Sequence, residues 1–522
     1  MLPKIGGIKK GFTPAIKKTE IDQDRDYGPI SGNEALESIA DSTSSSVGII
    51  TSEILLKAPR DFFKEYEDPV RQAVLEIQNK LSEDGGNGAE AIRNAQNNPL
   101  DKNIQGKARS TVTLALATFL DSPKGSRITR SFNSKQKKVL SALVLNELLG
   151  LGPLEPLWRD TAITEIIANG PFDVQVEIKG NIHRVPSCQF RDADHLMKLI
   201  NRLYSSINKS ISNNEPMVKG RLHDKSRMMA VHPVVAPDGP NFNIRRHSDD
   251  FITPEQIINF DTADQAIMED IGNWIYAGMS FLIIGGTGTG KTTLLDALTS
   301  YIRPDMRVVS MEDNLEMKPH PDKLFAAAME TIDPKPGVAS SGVNMRSLVK
   351  ASLQMRPEMV IIGEVTDDAA YDLCQAGNTG HTVTSTVHAN SPEDAMYRLM
   401  SLVSQSDLVK ERAAYDLISS AFDLVISVER FPMDGSRKIV SIGEIADKVV
   451  SDDEGNRILP VIPIWKFVTN PDETYSQEKV VGDWVKVGEL SEKTREKHYL
   501  DIKPRLSWTE LQKIAKIKGG DK

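Results

Sequence analysis

The sequence predicts an α/β fold in which a parallel β-sheet is covered by helices and is preceded by a smaller α+β region. The first observation is that apolar, strand-like runs alternate with helical patterns from residue 253 to about residue 430, as is typical of a parallel sheet with helices on its faces. The second is a glycine-rich loop that joins one of these strands to a helix. The third is a set of short strands and turns between residues 152 and 245. The strand-like runs are 281–284, 306–311, 358–362, 382–387 and 424–429.

The length and the changes in composition predict several domains. A chain of 522 residues is too long for one hydrophobic core, so we expect about two to four domains. Helical patterns recur near residues 69–81, 108–120, 134–150, 192–206 and 507–517. We predict a flexible basic and polar tail with a linker over residues 1–47, a helical region over 48–150, an α+β domain over 151–248, an α/β domain over 249–430 and a C-terminal extension over 431–522.

Charge and cysteine usage narrow the possible functions. The formal net charge is −9, so no overall basic field favours nucleic acid as a partner. The two cysteines, Cys188 and Cys374, form no CxxC pair, so we expect neither a four-cysteine zinc site nor a disulfide framework. The sequence contains no run of about 18 apolar residues and no signal-peptide core, so we expect a cytoplasmic protein.

The loop after the strand at 281–284 matches the phosphate-binding pattern GxxxxGK[ST] at every position. Glycines let such a loop turn backbone N–H groups towards phosphate oxygens at the positive end of a helix. We expect Lys291 to reach the β- and γ-phosphates and Thr292 to hold Mg²⁺ through its hydroxyl group, so the sequence predicts a site for ATP and Mg²⁺. The residues expected to bind the nucleotide are Gly285, Gly286, Thr287, Gly288, Thr289, Gly290, Lys291, Thr292 and Thr293.

Two further predicted strands end in carboxylates. One is followed by Gly363 and Glu364, and in P-loop enzymes such a strand points its acidic end at Mg²⁺ and the attacking water. Gly363 stands where many of these enzymes have a metal-binding aspartate, so we expect Thr292 and water to supply more of the Mg²⁺ coordination. An earlier strand leads into an acidic cluster that contains Glu312 and Glu316. Residue chemistry leaves Glu312, Glu316 and Glu364 open as the general base.

Histidines and arginines complete the set of candidates. His381 and His388 flank the strand at 382–387, where a polar side chain can sense the γ-phosphate; a structural role is the alternative. Arginines can stabilise the charge of a transferred phosphoryl group, although each one taken singly can also be an ordinary surface charge. The arginines that precede the P-loop and flank the expected cleft are Arg221, Arg227, Arg245 and Arg246.

Taken together, these motifs resemble the type II/type IV secretion ATPase family over about residues 150–430. The P-loop has the family's form, and Met355-Arg356-Pro357-Glu358 precedes a strand similar to its atypical Walker B strand. The other matching segments are the entry segment 151–157, Arg245-Arg246 after Gly239-Pro240, an aspartate box at 311–316, the Walker B strand at 359–364 and a histidine box at 380–388.

The resemblance implies a PAS-like N-terminal domain joined to a RecA-like P-loop ATPase domain, with ATP between them, and a homohexameric ring. By resemblance, Glu316 is the catalytic glutamate of the aspartate box and Glu364 is the Walker B glutamate beside Mg²⁺. Arg227 and Arg245 match the arginines of the N-terminal domain that reach the phosphates, and His388 matches the histidine nearest the γ-phosphate.

The family also implies a function at a membrane machine. Its members power type IV pilus assembly or retraction and related secretion, through an inner-membrane platform protein. This sequence has Thr366 where the family usually has arginine, and it lacks the zinc-binding tetracysteine of many members, so we expect no zinc. We expect an ATPase of type IV pilus biogenesis, peripheral at the inner membrane. A conjugative type IV secretion ATPase is the alternative, and a nucleic-acid translocase or a nucleotide-gated scaffold is more distant.

Overall fold

The computed structural model divides the chain into two compact units, Met1–Ser248 and Asp249–Lys522. The predicted basic tail at residues 1–20 lies outside the residues that the structure describes. Among the described residues, none of the helices combines the length and the apolar character needed to cross a membrane. The described residues are 29–41, 47–83, 87–97, 102–178, 180–246, 251–317, 325–332, 342–366, 369–405, 409–451, 457–501 and 503–516.

The first unit begins with a helical region. The sequence predicts a polar linker before residue 47, but part of that segment forms α1, because Ala35 and Ile39 are apolar, four residues apart and fully buried, and α1 packs against α7. Asn133 caps α7 by accepting the N–H of Gln136 at 2.9 Å. The helices are α1 (Gly32–Asp41), α2 (Ser52–Lys57), α3 (Glu67–Glu83), α4 (Asn87–Asn97), α5 (Lys102–Asp121), α6 (Pro123–Ile128), α7 (Ser134–Leu149), α8 (Glu155–Arg159) and α9 (Ala193–Ser206).

The first unit also contains a six-stranded antiparallel sheet of order β3-β2-β1-β6-β5-β4. Side chains alternate along its strands, so that one face is apolar and buried while the other is less buried and carries most of the polar side chains. Tyr204 of α9 donates its hydroxyl proton to the carbonyl oxygen of Val218, which ties this helix to the sheet. The strands are β1 (Ile163–Asn169), β2 (Val174–Ile178), β3 (Asn181–Arg184), β4 (Met217–Arg221), β5 (Arg227–Val231) and β6 (Asn241–Arg245).

The second unit is built on a nine-stranded sheet of order β17-β16-β13-β12-β7-β11-β10-β8-β9. All four residues Phe281, Leu282, Ile283 and Ile284 of β7 are buried, alternating between two apolar clusters on the two faces of the sheet. Its strands are β7 (Phe281–Gly285), β8 (Val308–Glu312), β9 (Ala326–Glu330), β10 (Met359–Ile362), β11 (Thr382–His388), β12 (Leu424–Arg430), β13 (Arg437–Ile445), β16 (Val461–Thr469) and β17 (Gly482–Lys486), and the short strands β14 (Val450–Ser451) and β15 (Arg457–Ile458) form a separate two-stranded sheet.

The helices of the second unit connect these strands. Thr253 caps α10 with the reciprocal contacts of a capping box: it accepts the N–H of Gln256 at 3.3 Å, and the Gln256 side chain accepts the N–H of Thr253 at 2.9 Å. The helices are α10 (Pro254–Asn259), α11 (Gln265–Ala277), α12 (Lys291–Leu298), α13 (Met345–Leu353), α14 (Ala369–Asn378), α15 (Pro392–Ser404), α16 (Glu411–Ala421), α17 (Pro471–Gln477), α18 (Glu492–Lys497) and α19 (Trp508–Lys516).

The sheet is mixed: the parallel strands that the sequence predicts are present, and antiparallel strands extend the sheet beyond β12. Strands β12, β7, β11, β10, β8 and β9 are parallel to one another, whereas β13, β16 and β17 are each antiparallel to the strand before them in the chain of pairings. The short loop 431–436 joins β12 to β13, and a connection of that length allows only an antiparallel return. The sequence does not predict strand β9, because three of its five residues are alanine, and alanine is less common in strands than β-branched and aromatic residues are.

Residues of the C-terminal extension complete the core of the second unit. Trp465 of β16 donates its indole N–H to the buried carboxylate of Asp270 at 3.0 Å. Lys438 of β13, only 1% exposed, donates to Asp261 Oδ2 at 2.6 Å. Buried polar groups in these contacts are paired, as burial requires. The extension is therefore an integral part of the second unit.

Candidate active site at the carboxyl ends of the parallel strands

The candidate site begins where β7 ends and α12 starts. The loop between them needs glycine: a Cβ atom on Gly285 would lie 2.2 Å from the carbonyl oxygen of Val428 in β12. Gly288 (φ +73°) and Gly290 (φ +90°) have left-handed backbones that other residues rarely adopt. These conformations explain why glycine recurs at alternate positions, and they shape a loop of the kind that cradles phosphate groups.

Lys291, the first residue of α12, lies inside this loop and is 7% exposed. Its Nζ donates to the carbonyl oxygens of Gly285 at 3.0 Å and Gly286 at 2.8 Å, and it lies 3.2 Å from His388 Nδ1. Burial lowers the pKa of Lys291, and the charge of Glu364 opposes that shift. The side chain is a cation held by carbonyl oxygens at the start of a helix.

His388 and Glu364 reach this lysine from the neighbouring strands. His388 ends β11 in register with Gly285, the last residue of β7. Its Nε2 lies 3.4 Å from Glu364 Oε2, just beyond the end of β10. The three side chains form a continuous row, and we call Lys291, His388 and Glu364 the open cluster, because His388 and Glu364 are 31% and 42% exposed.

The acidic turn after β8 distinguishes two glutamates that residue chemistry alone does not separate. Glu312 is 4% exposed, and its carboxylate accepts the N–H of Glu316 at 3.1 Å and of Met317 at 3.0 Å. A Cβ atom on Gly363 would lie 2.7 Å from Glu312 Cγ, so glycine leaves the space that this side chain occupies. Glu312 thus shapes the turn, whereas Glu316 lies on it and is half-buried.

The threonines of the loop have different surroundings. Thr289 is buried and donates its hydroxyl proton to the carbonyl oxygen of Gly286 at 3.0 Å, which braces the loop internally. Thr287 and Thr293 are exposed, and Thr292 is half-buried at the second position of α12. The Thr292 hydroxyl group is an oxygen donor of the kind that Mg²⁺ prefers. Among the residues that the structure describes, no group of three or more His, Cys, Asp or Glu side chains is placed to hold a metal ion, so Mg²⁺ would need the oxygens of a bound phosphate as further ligands.

His381 lies at the opposite end of β11 from His388, and its Nδ1 is 3.0 Å from the carbonyl oxygen of Ala376. The structure therefore separates the two histidines of the histidine box. His388 belongs to the open cluster, while His381 contacts the end of α14.

The arginines that precede the P-loop lie in the first unit, and three of them form a row on the polar face of its sheet. Arg221 pairs with Arg227, and Arg227 pairs with Arg245 on the next strand. Directly paired residues of neighbouring strands project from the same face. Two glutamates continue the row on the next strands: Arg245 pairs with Glu165, and Glu165 pairs with Glu177.

Arg246 has a different environment from Arg245. Its NH1 donates to the carbonyl oxygen of Asp160 at 2.7 Å, and its guanidinium group lies 5.1 Å from the centre of the Trp158 ring. Arg246 therefore braces the first unit internally and is not part of the arginine row.

The P-loop is also contacted by an arginine that no sequence motif reveals. Arg437, the first residue of β13, donates from Nε to the carbonyl oxygen of Gly288 at 3.1 Å. The local sequence signals only a hairpin turn at Asp434-Gly435 before it. Gly288 and Arg437 are far apart in the sequence, so their contact can be recognised only once the position of β13 in the sheet is known.

Comparison with known proteins places this arrangement in a family. Residues 147–432 match the family described as type II/IV secretion system protein. An uncharacterized protein of Methanocaldococcus jannaschii is 31% identical over 264 residues, which are 49% of this chain and 46% of that protein. A putative conjugal transfer protein of Mycobacterium tuberculosis is 33% identical over 309 residues, which are 57% of this chain and 84% of that protein.

Among solved structures, the VirB11 ATPase of the Brucella suis type IV secretion system, crystallised with sulphate, is 24% identical in sequence with a TM-score of 0.31. The alignment covers 56% of this chain and 93% of that one. The family match spans more than half of the chain and contains the P-loop, the open cluster and the acidic turn. This chain therefore belongs to the type II/IV secretion system family, whose members are ATPases of the secretion and pilus type.

Proposed function

We propose that this chain hydrolyses Mg-ATP as a subunit of a homohexameric ring and powers the assembly or retraction of a type IV pilus, or related secretion. It would act at the cytoplasmic side of the inner membrane through a platform protein. The observation that supports hydrolysis most directly is the open cluster, where Lys291 at the start of α12, His388 at the end of β11 and Glu364 after β10 lie side by side.

Each residue has a role that follows from its position. The backbone of residues 285–290 and Lys291 bind the β- and γ-phosphates. A phosphate in the loop competes with Gly285, Gly286 and His388 for the three protons of the lysine ammonium group. Mg²⁺, held by Thr292 with Glu364 nearby, would neutralise phosphate charge. Glu316, on the turn that Glu312 braces, orients or deprotonates the attacking water.

His388 connects the lysine to the Walker B carboxylate. When Lys291 turns to a phosphate oxygen, His388 loses one contact and keeps Glu364 at its other nitrogen. The freed Nδ1, whose lone pair had accepted from Lys291, can then accept a hydrogen bond from the attacking water. This exchange makes His388 a sensor of the γ-phosphate.

The arginine row supports a second set of phosphate contacts. Arg221, Arg227 and Arg245 lie side by side on neighbouring strands, and Glu165 pairs with Arg245. Guanidinium groups bind phosphate oxygens well, because their donors match the geometry of the phosphate group. We propose that Arg227 and Arg245 bind the phosphates of ATP.

Conjugative transfer is the second candidate for the driven process. It is favoured by the relative in Mycobacterium tuberculosis, which is named as a putative conjugal transfer protein and is 33% identical. Pilus biogenesis is favoured by the long regions on both sides of the matched segment 147–432. Deletion of the gene separates the two: loss of surface pili supports the first, and loss of plasmid transfer with pili retained supports the second.

Hydrolysis is tested with purified full-length protein and Mg-ATP. Lys291→Ala is expected to abolish turnover, because it removes the buried cation of the loop, whereas Lys350→Ala on the exposed face of α13 is the matched control. Glu316→Gln is expected to bind nucleotide and lose turnover by about 100-fold or more. Turnover near the wild-type rate in Lys291→Ala would show that the reaction does not use this loop. Equal and negligible turnover of wild type and Glu316→Gln would favour a nucleotide-gated scaffold.

A further inference from the structure

Arg437 brings the C-terminal extension onto the P-loop. Besides its hydrogen bond to Gly288, its aliphatic part packs on the loop: a Cβ atom on Gly290 would lie 3.2 Å from Arg437 Cδ and 3.7 Å from its Nε. Arg437 lies after residue 432, where the match to the family ends. The contact therefore comes from a part of this chain that the family description does not include.

The start of β13 is anchored so that this contact can persist. Lys438, the next residue, is buried and donates from Nζ to the carbonyl oxygen and to Oδ2 of Asp261, both at 2.6 Å. The N–H of Ile439 donates to the carbonyl oxygen of Thr262 at 2.8 Å. Because successive side chains of a strand point to opposite sides, anchoring Lys438 on one side directs Arg437 to the other.

Within residues 288–290, Thr289 is held by its hydrogen bond to Gly286. Gly290 is held by the N–H of Leu294, which donates to its carbonyl oxygen at 2.8 Å. The restraint that Arg437 adds therefore falls on Gly288. Gly288 and Gly290 have left-handed backbones and no side chains, so packing of their own side chains cannot restrain them. A Cβ atom on Gly288 would meet nothing within 4 Å. A donor from outside the loop supplies a restraint, and a guanidinium group also adds a permanent positive charge beside the phosphate site.

We propose that Arg437 is a positioning residue for the nucleotide: it holds the loop at Gly288 in its phosphate-binding shape and raises nucleotide affinity with its charge. The inference rests on the proposed ATP site. The hairpin of β12 and β13 then has a role in nucleotide binding. Since the contact of Arg437 with the loop favours nucleotide binding, thermodynamic linkage requires that bound nucleotide also stabilises this contact. Any partner that displaces this hairpin would then weaken nucleotide binding.

The test compares full-length wild type with Arg437→Gln, Arg437→Lys and the control Lys466→Gln, an exposed cation on β16 of the same extension. We measure the Kd for Mg-ADP and the KM and kcat for Mg-ATP. Arg437→Gln is expected to raise both Kd and KM about tenfold while kcat changes less than about threefold, since a charge-assisted hydrogen bond is lost at an exposed position. The Kd and KM of Arg437→Lys should lie between those of wild type and Arg437→Gln, and those of Lys466→Gln should equal the wild-type values.

The melting temperature without nucleotide serves as the readout of folding. If Arg437→Gln does not fold, the Kd of Arg437→Lys decides: a Kd equal to that of wild type contradicts the inference. So does a loss of kcat in Arg437→Gln at unchanged Kd. Failure of the ATP site itself looks different, because wild type would then bind no nucleotide or Lys291→Ala would keep its turnover.

Discussion

The two ends of β7 carry clusters of the same three side-chain types, a lysine, a histidine and a carboxylate, in opposite environments. The open cluster of Lys291, His388 and Glu364 lies at the carboxyl end. At the amino end, Asp423 accepts the N–H of Ser280 at 2.8 Å. The other members of this second cluster lie at 2.7 Å (Lys497 Nζ) and 3.1 Å (His498 Nε2) from the same carboxylate. We call Asp423, Lys497 and His498 the closed cluster.

The difference lies in what is buried and what each charge contacts. In the closed cluster the carboxylate is 4% exposed and lies at the centre, where it contacts the lysine, the histidine and the N–H of Ser280, the residue before β7. In the open cluster the carboxylate is 42% exposed at one end, and the buried lysine contacts backbone carbonyl oxygens. The buried, paired carboxylate of the closed cluster stabilises the fold. In the open cluster, an incoming anion can replace the neutral carbonyl oxygens that Lys291 contacts.

The largest effect that separates the clusters is expected from Glu364→Gln. It removes the charge at the exposed end of the open cluster, and we expect kcat to fall by about 100-fold while the melting temperature stays within about 1–2 °C, because an exposed carboxylate contributes little to stability. The measurement is steady-state turnover with Mg-ATP beside a thermal melt. Glu358→Gln, at the opposite end of β10, is the control and should keep wild-type turnover. A large drop in melting temperature for Glu364→Gln would remove the distinction between the two clusters.

Asp423→Asn is expected to produce the reverse pattern, with turnover retained and the melting temperature at pH 7 lowered by about 5 °C. That shift corresponds to about 2 kcal/mol for breaking a buried, paired carboxylate. Burial alone would raise the pKa of Asp423, but the neighbouring His498 and Lys497 outweigh it and hold the pKa below its ordinary value of 3.8.

The sign of the pH dependence follows from that lowered pKa. A carboxyl group with a lower pKa in the folded state stabilises it above the unfolded-state pKa, and this contribution is lost as the pH falls through the folded-state value. The difference in melting temperature between wild type and Asp423→Asn should therefore be full at pH 7 and shrink below about pH 4. A constant difference from pH 7 to pH 3 would mean that the charge of Asp423 is not what stabilises the unit.

The smallest effects are expected from the two histidines. Because the same residue type is changed in each cluster, these variants compare the two environments directly. His388→Gln should lower kcat about tenfold at an unchanged melting temperature, because one polar contact to the reacting groups is lost. His498→Gln should lower the melting temperature by about 3 °C at unchanged kcat, for a loss of about 1 kcal/mol. Turnover and melting curves of the two variants, run in parallel, give both readouts. Equal loss of kcat in both would indicate that the closed cluster also takes part in turnover.

Local patterns predict much of the second unit. The apolar run 281–284, the glycines after it and the helix from Lys291 are short-range features, and the structure has them as β7, the loop and α12. Thr253-Pro254-Glu255-Gln256 predicts a capped helix start, and the cap is present. Such features depend on residues within a few positions of each other, so the sequence is sufficient to find them.

Long-range placement explains what the sequence does not reveal. The structural role of Glu312, which residue chemistry leaves open as the base beside Glu316 and Glu364, depends on its folding back on the N–H groups of its own turn against Gly363. The mixed sheet depends on how the C-terminal strands return. The arginine row depends on the pairing of three strands, because the residues have no common spacing along the chain.

The sequence by itself determined the glycine-rich loop after β7, most of the strands and helices around it and the family of the chain, because glycine backbone freedom, side-chain periodicity and helix caps act locally. The tertiary structure decided which partners the charged groups have. It joined Lys291 to His388 and Glu364, enclosed Asp423 between Lys497 and His498, and brought Arg437 to Gly288. Burial and electrostatic partners depend on distances across the sheet, and these exist only once the strands are paired.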